Sequence, residues 1–222
     1  FLNEAGLFDE AKFKQFLADT KDKNDQLWGA WSKYMNQIKD NTESNIYNNL
    51  VTFKNRYQNA FSQIEIQLKR RYDLIPNLLE TAKAYMAHER ETLEGVINAR
   101  NQAVTGLQNA STDPSNSAAI QELAAAENHL QGALSKFSVV VEAYPELKAN
   151  ETMMQFSEEL TSTENRVAFS RQAFNDAVTA YNTYRQTFPP VFFAARFGHP
   201  NDAALLEFDD SEAIQEAPKV SF

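Results

Sequence analysis

The chain has 222 residues, 30 acidic and 21 basic side chains, a net charge of -9 and no cysteine. That length can bury a core without covalent staples, and the missing cysteines exclude disulfides and thiolate metal sites. A surface this negative repels phosphate backbones, so nucleic acid is not an expected partner.

No run of 18 apolar residues occurs, so no segment is expected to cross a bilayer. The chain opens on Phe1 rather than Met, which leaves room for a membrane anchor upstream of it.

Residues 1–44 alternate apolar and polar stretches. Phe8, Phe13, Phe16 and Leu17 form one cluster, and Leu27, Trp28, Trp31, Tyr34, Met35 and Ile38 form another. The polar run Lys21, Asp22, Lys23, Asn24, Asp25 lies between them, and a second polar stretch occupies 41–45. This predicts an N-terminal extension of extra helices, separable from the rest of the chain.

Over 45–188 apolar residues recur every three or four positions, the period of an amphipathic helix. Ile46, Leu50, Phe53, Tyr57, Ala60, Ile64 and Leu68 mark a first seam. Pro76 suits the first turn of a second helix, whose seam is Leu79, Ala82, Met86, Leu93, Val96, Ala103 and Leu107.

Thr112 to Asn116 is a turn cluster, and Ile120, Leu123, Leu130, Leu134, Phe137 and Val141 make a third seam. Tyr144 and Pro145 close it, and Met153, Leu160, Val167, Phe174, Val178, Tyr181 and Phe188 make the fourth. Short connections impose antiparallel neighbours. The expected fold is all-α, an elongated antiparallel four-helix bundle with Leu68, Met86, Phe137 and Phe174 in its core. Residues 189–222 form an irregular tail, aromatic over Val191 to Phe197 and acidic afterwards.

The known chemistries of helical bundles leave no signature along these seams. A di-iron bundle needs Glu-x-x-His pairs, but Tyr85, Ala126 and Arg196 stand three residues before His88, His129 and His199. His88-Glu89 opens like a zinc-protease motif, yet Thr92 occupies the position of the second histidine. There is no phosphate-cradling glycine loop and no nucleophile elbow. No catalytic residue, metal or cofactor is expected, and the chain reads as a non-enzyme.

Five charges fall on or near apolar seams: Glu89, Arg100, Glu164, Arg171 and Arg185. Buried charges must be paired, so an interhelical network is predicted, with Arg171 joined to Glu89 or Glu164. The alternative is a pocket for a small polar or anionic ligand. The basic run Lys69, Arg70, Arg71 reads as a solvated face or a set of salt bridges. Trp28, Trp31, Phe192, Phe193 and Phe197 are candidate interaction residues for protein partners. The segment from Val191 to Phe197 is expected at the pole that also holds the start of the first bundle helix and the turn near Pro114.

Several stretches are shared with a known family. They are Tyr47-Asn48-Asn49-Leu50-Val51, Asn59 to Ile64, Gln67 to Leu78, His88-Glu89, Glu164-Asn165-Arg166, Arg171 to Val178 and Ala217 to Phe222. Over residues 46–222 the chain resembles the LemA family of bacterial proteins. The resemblance implies a helical bundle attached to the membrane by one N-terminal helix, with no established enzymatic activity. At the position where that family carries its hydrophobic anchor, this chain has Asn41, Thr42, Glu43, Ser44 and Asn45.

Overall fold

The computed structural model describes residues 9–208. They form α1 (Glu10–Lys83), α2 (Arg90–Thr112), α3 (Ser117–Glu142), the single turn α4 (Pro145–Lys148), α5 (Glu151–Gln186) and a 3-10 turn at Pro190–Phe192. The chain divides into two units, Phe1–Asn49 and Leu50–Phe222. The fold class is all-α.

In the first unit the polar run at 21–25, expected to separate two helices, lies inside α1, and so does the stretch at 41–45. Neither contains Gly or Pro, and the helix offers local partners to their side chains. Gln26 donates to Asp22 at 3.0 Å, the Lys39 ammonium lies 3.8 Å from Glu43, and the Thr42 hydroxyl bonds the Ile38 carbonyl at 2.9 Å. The two side-chain pairs, each at i,i+4 spacing, contribute about 0.2–0.5 kcal/mol apiece. Leu27, Trp28, Trp31, Tyr34, Met35 and Ile38 are all exposed, and the two indoles meet edge to face at 5.7 Å.

The second unit holds the bundle. Leu50, Tyr57, Ile64 and Leu68 of α1 are buried, and the same phase continues without a break through Tyr72, Ile75, Leu79 and Ala82. Pro76 therefore sits inside α1 rather than at the first turn of a second helix, and the reversal falls at residues 84–89. An interior proline withdraws one N–H, leaving the carbonyl four residues back without its helical donor, at a cost of about 3 kcal/mol or more. Here that carbonyl belongs to Tyr72, and Arg100 of α2 supplies the donor, its Nε at 3.2 Å. Replacing Arg100 with Met should consequently cost about 1–3 kcal/mol, the range for a group left unsatisfied. Urea denaturation of Arg100→Met checks this, and a loss within about 0.5 kcal/mol would mean that the guanidinium is not what sustains the helix past Pro76.

Helix ends explain the remaining reversals. Asn116 caps α3, its Oδ1 accepting from the N–H groups of Ala118 and Ala119 at 3.1 and 3.3 Å. Asn150 caps α5 in the same way through Met153 N–H at 3.0 Å. α2 and α3 approach closely because small residues line the contact. A Cβ on Gly106 would stand 3.2 Å from the Leu123 Cα, so a side chain there would require α3 to give by a few tenths of an ångström.

Neighbouring helices run antiparallel, as the pairings show. Tyr57 of α1 meets Tyr181 of α5 at 5.3 Å, Phe61 meets Phe174 at 5.6 Å, and Arg70 reaches Glu159 at 2.6 Å. Between α2 and α3, Gln102 faces His129 and Asn109 faces Glu122. The four expected core residues Leu68, Met86, Phe137 and Phe174 are all buried. Phe188, assigned to the fourth seam, is instead 80% exposed, because α5 ends at Gln186.

Candidate functional site

Where α1, α3 and α5 converge, the core is charged. Arg71 and Glu127 have side chains only 4% and 1% exposed. Both lie on seams: Arg71 comes three residues after Leu68, and Glu127 stands between Leu123 and Leu130. Arg71 Nη1 donates to Glu127 Oε2 at 2.8 Å, and Nη2 donates to Gln131 Oε1 at 2.7 Å. Glu164, half-buried on α5, lies 3.5 Å from the same Nη2. The Tyr72 hydroxyl donates to the second Glu127 oxygen, with the Ala103 carbonyl 3.3 Å away.

This arrangement satisfies both carboxylate oxygens of Glu127. Burial still pushes its carboxyl above the usual range, with Glu164 adding to the rise while Arg71 and Tyr72 oppose it. Burial and the neighbouring Glu127 likewise raise the Tyr72 phenol. Among the described residues, Arg71 Nε has no hydrogen-bond partner.

A cleft of about 400 Å³ opens beside this cluster, bordered by Arg71, Gln131, Ser135, Glu164, Arg171 and Phe208. The Arg171 guanidinium is stacked over the Phe208 ring at 4.4 Å, a cation–π contact.

Among the described residues the five seam charges stand at several separate places. Glu164 and Arg171 share this cleft. Glu89 stands in the turn between α1 and α2, where the Tyr144 hydroxyl bonds it at 3.2 Å. Arg100 serves the Tyr72 carbonyl. Arg185, near the end of α5, holds Asp202 through Nε and Nη2 at 2.8 and 2.6 Å and the Pro200 carbonyl at 3.0 Å. Arg71, in a run for which the sequence leaves a solvated face or a set of salt bridges open, is the cation of the buried pair. Glu127, Tyr72 and Gln131 were not singled out from sequence, although the seam spacing of Glu127 and Arg71 carries the signal.

At one end of this unit, Lys54 and Tyr57 of α1, Ser115 of the α2–α3 turn, Tyr181 of α5 and the residues after α5 gather around a small cavity. Gly198 adopts φ 84°, a conformation open to glycine, and turns the chain back. His199 is then buried with its Nδ1 3.0 Å from the Tyr181 hydroxyl. Burial, with Lys54 adding, holds the imidazole below its ordinary pKa. The aromatic candidates divide: Phe192 is 74% exposed, whereas Phe193 and Phe197 are half-buried and stack on each other at 5.9 Å. Most of the acidic part of the tail lies outside the described residues. Among those residues no helix is long and apolar enough to cross a membrane, and no group of His, Asp or Glu could hold a metal.

Fold and site together define an α-helical bundle protein built around a buried arginine–glutamate pair. The LemA family model matches residues 60–222, and the chain belongs to the LemA family. It is 29% identical over 141 residues to Protein LemA of Metamycoplasma hominis, covering 64% of this chain and 60% of that protein. It is also 25% identical over 190 residues to Magnetosome protein MamQ 1 and Magnetosome protein MamQ 2 of Paramagnetospirillum magneticum, covering 78% of this chain and 65% of each. The chain thus spans less than two thirds of the length of these relatives.

Proposed function

We propose that this protein is a non-enzymatic scaffold or adaptor of the bacterial envelope that engages other proteins through exposed helix faces. The observation that carries this reading is the aromatic face of the first unit. Leu27, Trp28, Trp31 and Tyr34 are each more than half exposed, on a helix whose other side chains are largely charged or amide. Large apolar clusters of this kind in water mark interaction sites, and Trp and Tyr are the residues that carry most interface energy. Placement at the membrane is part of the same proposal and draws on membership of the LemA family and on relatives named for the magnetosome.

A photo-crosslinking amino acid at position 28, introduced into the bacterial host, tests the proposal. Covalent adducts of protein size at position 28, absent with the probe at exposed Asn101, are expected. Adducts confined to lipid, or none, would overturn it.

The second reading, a small polar or anionic ligand, is favoured by the cleft beside Arg171. Against it, both terminal nitrogens of Arg71 are already engaged by protein acceptors. Native mass spectrometry of the purified chain separates the two, since a co-purifying small molecule would favour the ligand.

A further inference from the structure

In the second unit, α1 and α2 enclose a groove beside the turn that joins them. Its cavity measures about 790 Å³, within the range of roughly 300–1,000 Å³ found for small-molecule sites. The lining is apolar, from Ile75, Pro76 and Leu79 on α1, Met86 in the turn, and Leu93 and Ile97 on α2. Ile75, Leu79 and Met86 are at most 4% exposed, whereas Ile97 is 45% exposed. The apolar floor is therefore recessed. A slim chain can reach it, but a partner helix of roughly 10–12 Å diameter cannot.

The charges around this groove do not cancel. Lys83 pairs with Glu80 at 3.6 Å and Arg90 with Glu94 at 2.6 Å, each within its own helix. Arg100 is left over. It is half-buried, and its Nε donates to the Tyr72 carbonyl at 3.2 Å and its Nη1 to Asn101 Oδ1 at 3.3 Å, both neutral acceptors. Among the described residues no carboxylate pairs with Arg100, and its Nη2 has no acceptor. A cation held partly out of water attracts an anion more strongly than a fully exposed one, because the effective dielectric around it is lower. Asn101 lines the same cavity, and with its Oδ1 engaged by Arg100 its Nδ2 is left to donate.

Arg100 stands at one end of the groove. From there the apolar wall of α2 runs over Ile97 and Leu93 to Arg90, ten residues or roughly 15 Å. An anion at Arg100 thus has one apolar track leading away from it, toward the turn at Met86.

We propose that this groove binds a medium-chain fatty carboxylate, with its head on Arg100 Nη2 and Asn101 Nδ2 and its alkyl chain along Ile97, Leu93 and Leu79. Two donors match the two oxygens of one carboxylate. A phosphate head carries more charge than Arg100 alone offsets, since Lys83 and Arg90 are already engaged by Glu80 and Glu94. Each methylene that enters the groove leaves water, which favours a chain long enough to fill it. The groove shares no lining residue with the cleft beside Arg171, so the inference stands apart from both readings given above.

The chain's four methionines, Met35, Met86, Met153 and Met154, allow a local test. Protein with isotope-labelled methionine methyl groups is titrated with dodecanoate below its micellar concentration, and the Met86 resonance is assigned through Met86→Leu. That resonance should shift to saturation while the Met35 resonance stays in place. Dodecanol, which has the same chain and no charge, should bind at least about tenfold more weakly, having lost a hydrogen bond to a charged group. Dodecanoate should likewise bind Ile97→Glu at least about tenfold more weakly, because that variant sets a carboxylate against the alkyl chain. Ile97 is exposed enough for the variant to fold, and Val139→Glu, at a 69% exposed position of α3, is the control that should bind as the parent does. An unmoved Met86 resonance, equal binding of dodecanoate and dodecanol, undiminished binding by Ile97→Glu, an equal loss in Val139→Glu, or methionine resonances that all move together without saturation would overturn the proposal.

Discussion

Replacing Arg71 with Met is expected to destabilise the protein by roughly 3–5 kcal/mol at neutral pH, the cost of leaving a buried carboxylate without its cation. The magnitude comes from burial rather than from the strength of the ion pair, since Arg71 and Glu127 are 4% and 1% exposed. Removing both partners should be far milder. In Arg71→Met with Glu127→Leu no fully buried charge is left uncompensated, since Glu164, which also loses Arg71, is 35% exposed, and the Tyr72 hydroxyl keeps the Ala103 carbonyl 3.3 Å away as acceptor.

The single variant should also acquire a distinctive pH dependence. Glu127 already has its carboxyl pushed up, mainly by burial, and Arg71 is the chief force opposing that rise. A carboxyl raised in the folded state binds a proton that the unfolded chain has released. Its contribution to stability is therefore greatest at low pH and declines as pH climbs from the unfolded value of 4.5 through the folded one. Without Arg71 the folded value rises further. The deficit of Arg71→Met should be smaller at pH 5 than at pH 7, because the carboxyl then sheds its charge by protonation. Urea denaturation at both pH values is the check. A deficit that is small, or equal at the two pH values, would show that Glu127 is not dependent on Arg71.

The second large effect is expected at Phe174. Its side chain is 0% exposed and meets Phe61 at 5.6 Å and Tyr57 at 6.3 Å, both edge to face. Phe174→Ala should cost roughly 3–5 kcal/mol, from lost transfer energy and a cavity that the flanking rigid rings cannot close. A loss within about 0.5 kcal/mol, the range of surface substitutions, would contradict the placement of this face of α5.

Sequence alone reveals whatever depends on period. Leu68, Met86, Phe137 and Phe174 were legible because helical spacing fixes a face irrespective of where a helix begins. Helix boundaries were not. Pro76 is a breaker by local rules, and the donor that satisfies the carbonyl it leaves open, the Arg100 guanidinium, comes from another helix. The run from Lys21 to Asp25 looks like a linker by composition, but it lacks Gly and Pro and pairs within the helix.

The charged core was half legible. Glu164 and Arg171 were recognised as seam charges, whereas Arg71 was obscured by Lys69 and Arg70, which solvate a surface of the same helix. Asn182 and Asn175 of α5, whose amides each exchange two hydrogen bonds with the backbone of Ala203 and Leu206, carry no sequence signal, because they bond backbone groups and ask nothing of the side chains they hold.

The proposed engagement of protein partners places the aromatic face of the first unit at the contact. Trp28 and Trp31 are the two tryptophans of the chain. Protein labelled with 5-fluorotryptophan therefore gives two fluorine resonances, both from that face and free of background from unlabelled additions. Titration with detergent-solubilised envelope proteins from the native host should shift and broaden both resonances, while the same detergent carrying extracted lipids alone should leave them unchanged. Resonances that move with the lipids alone, or stay fixed in both titrations, would contradict a protein-engaging scaffold.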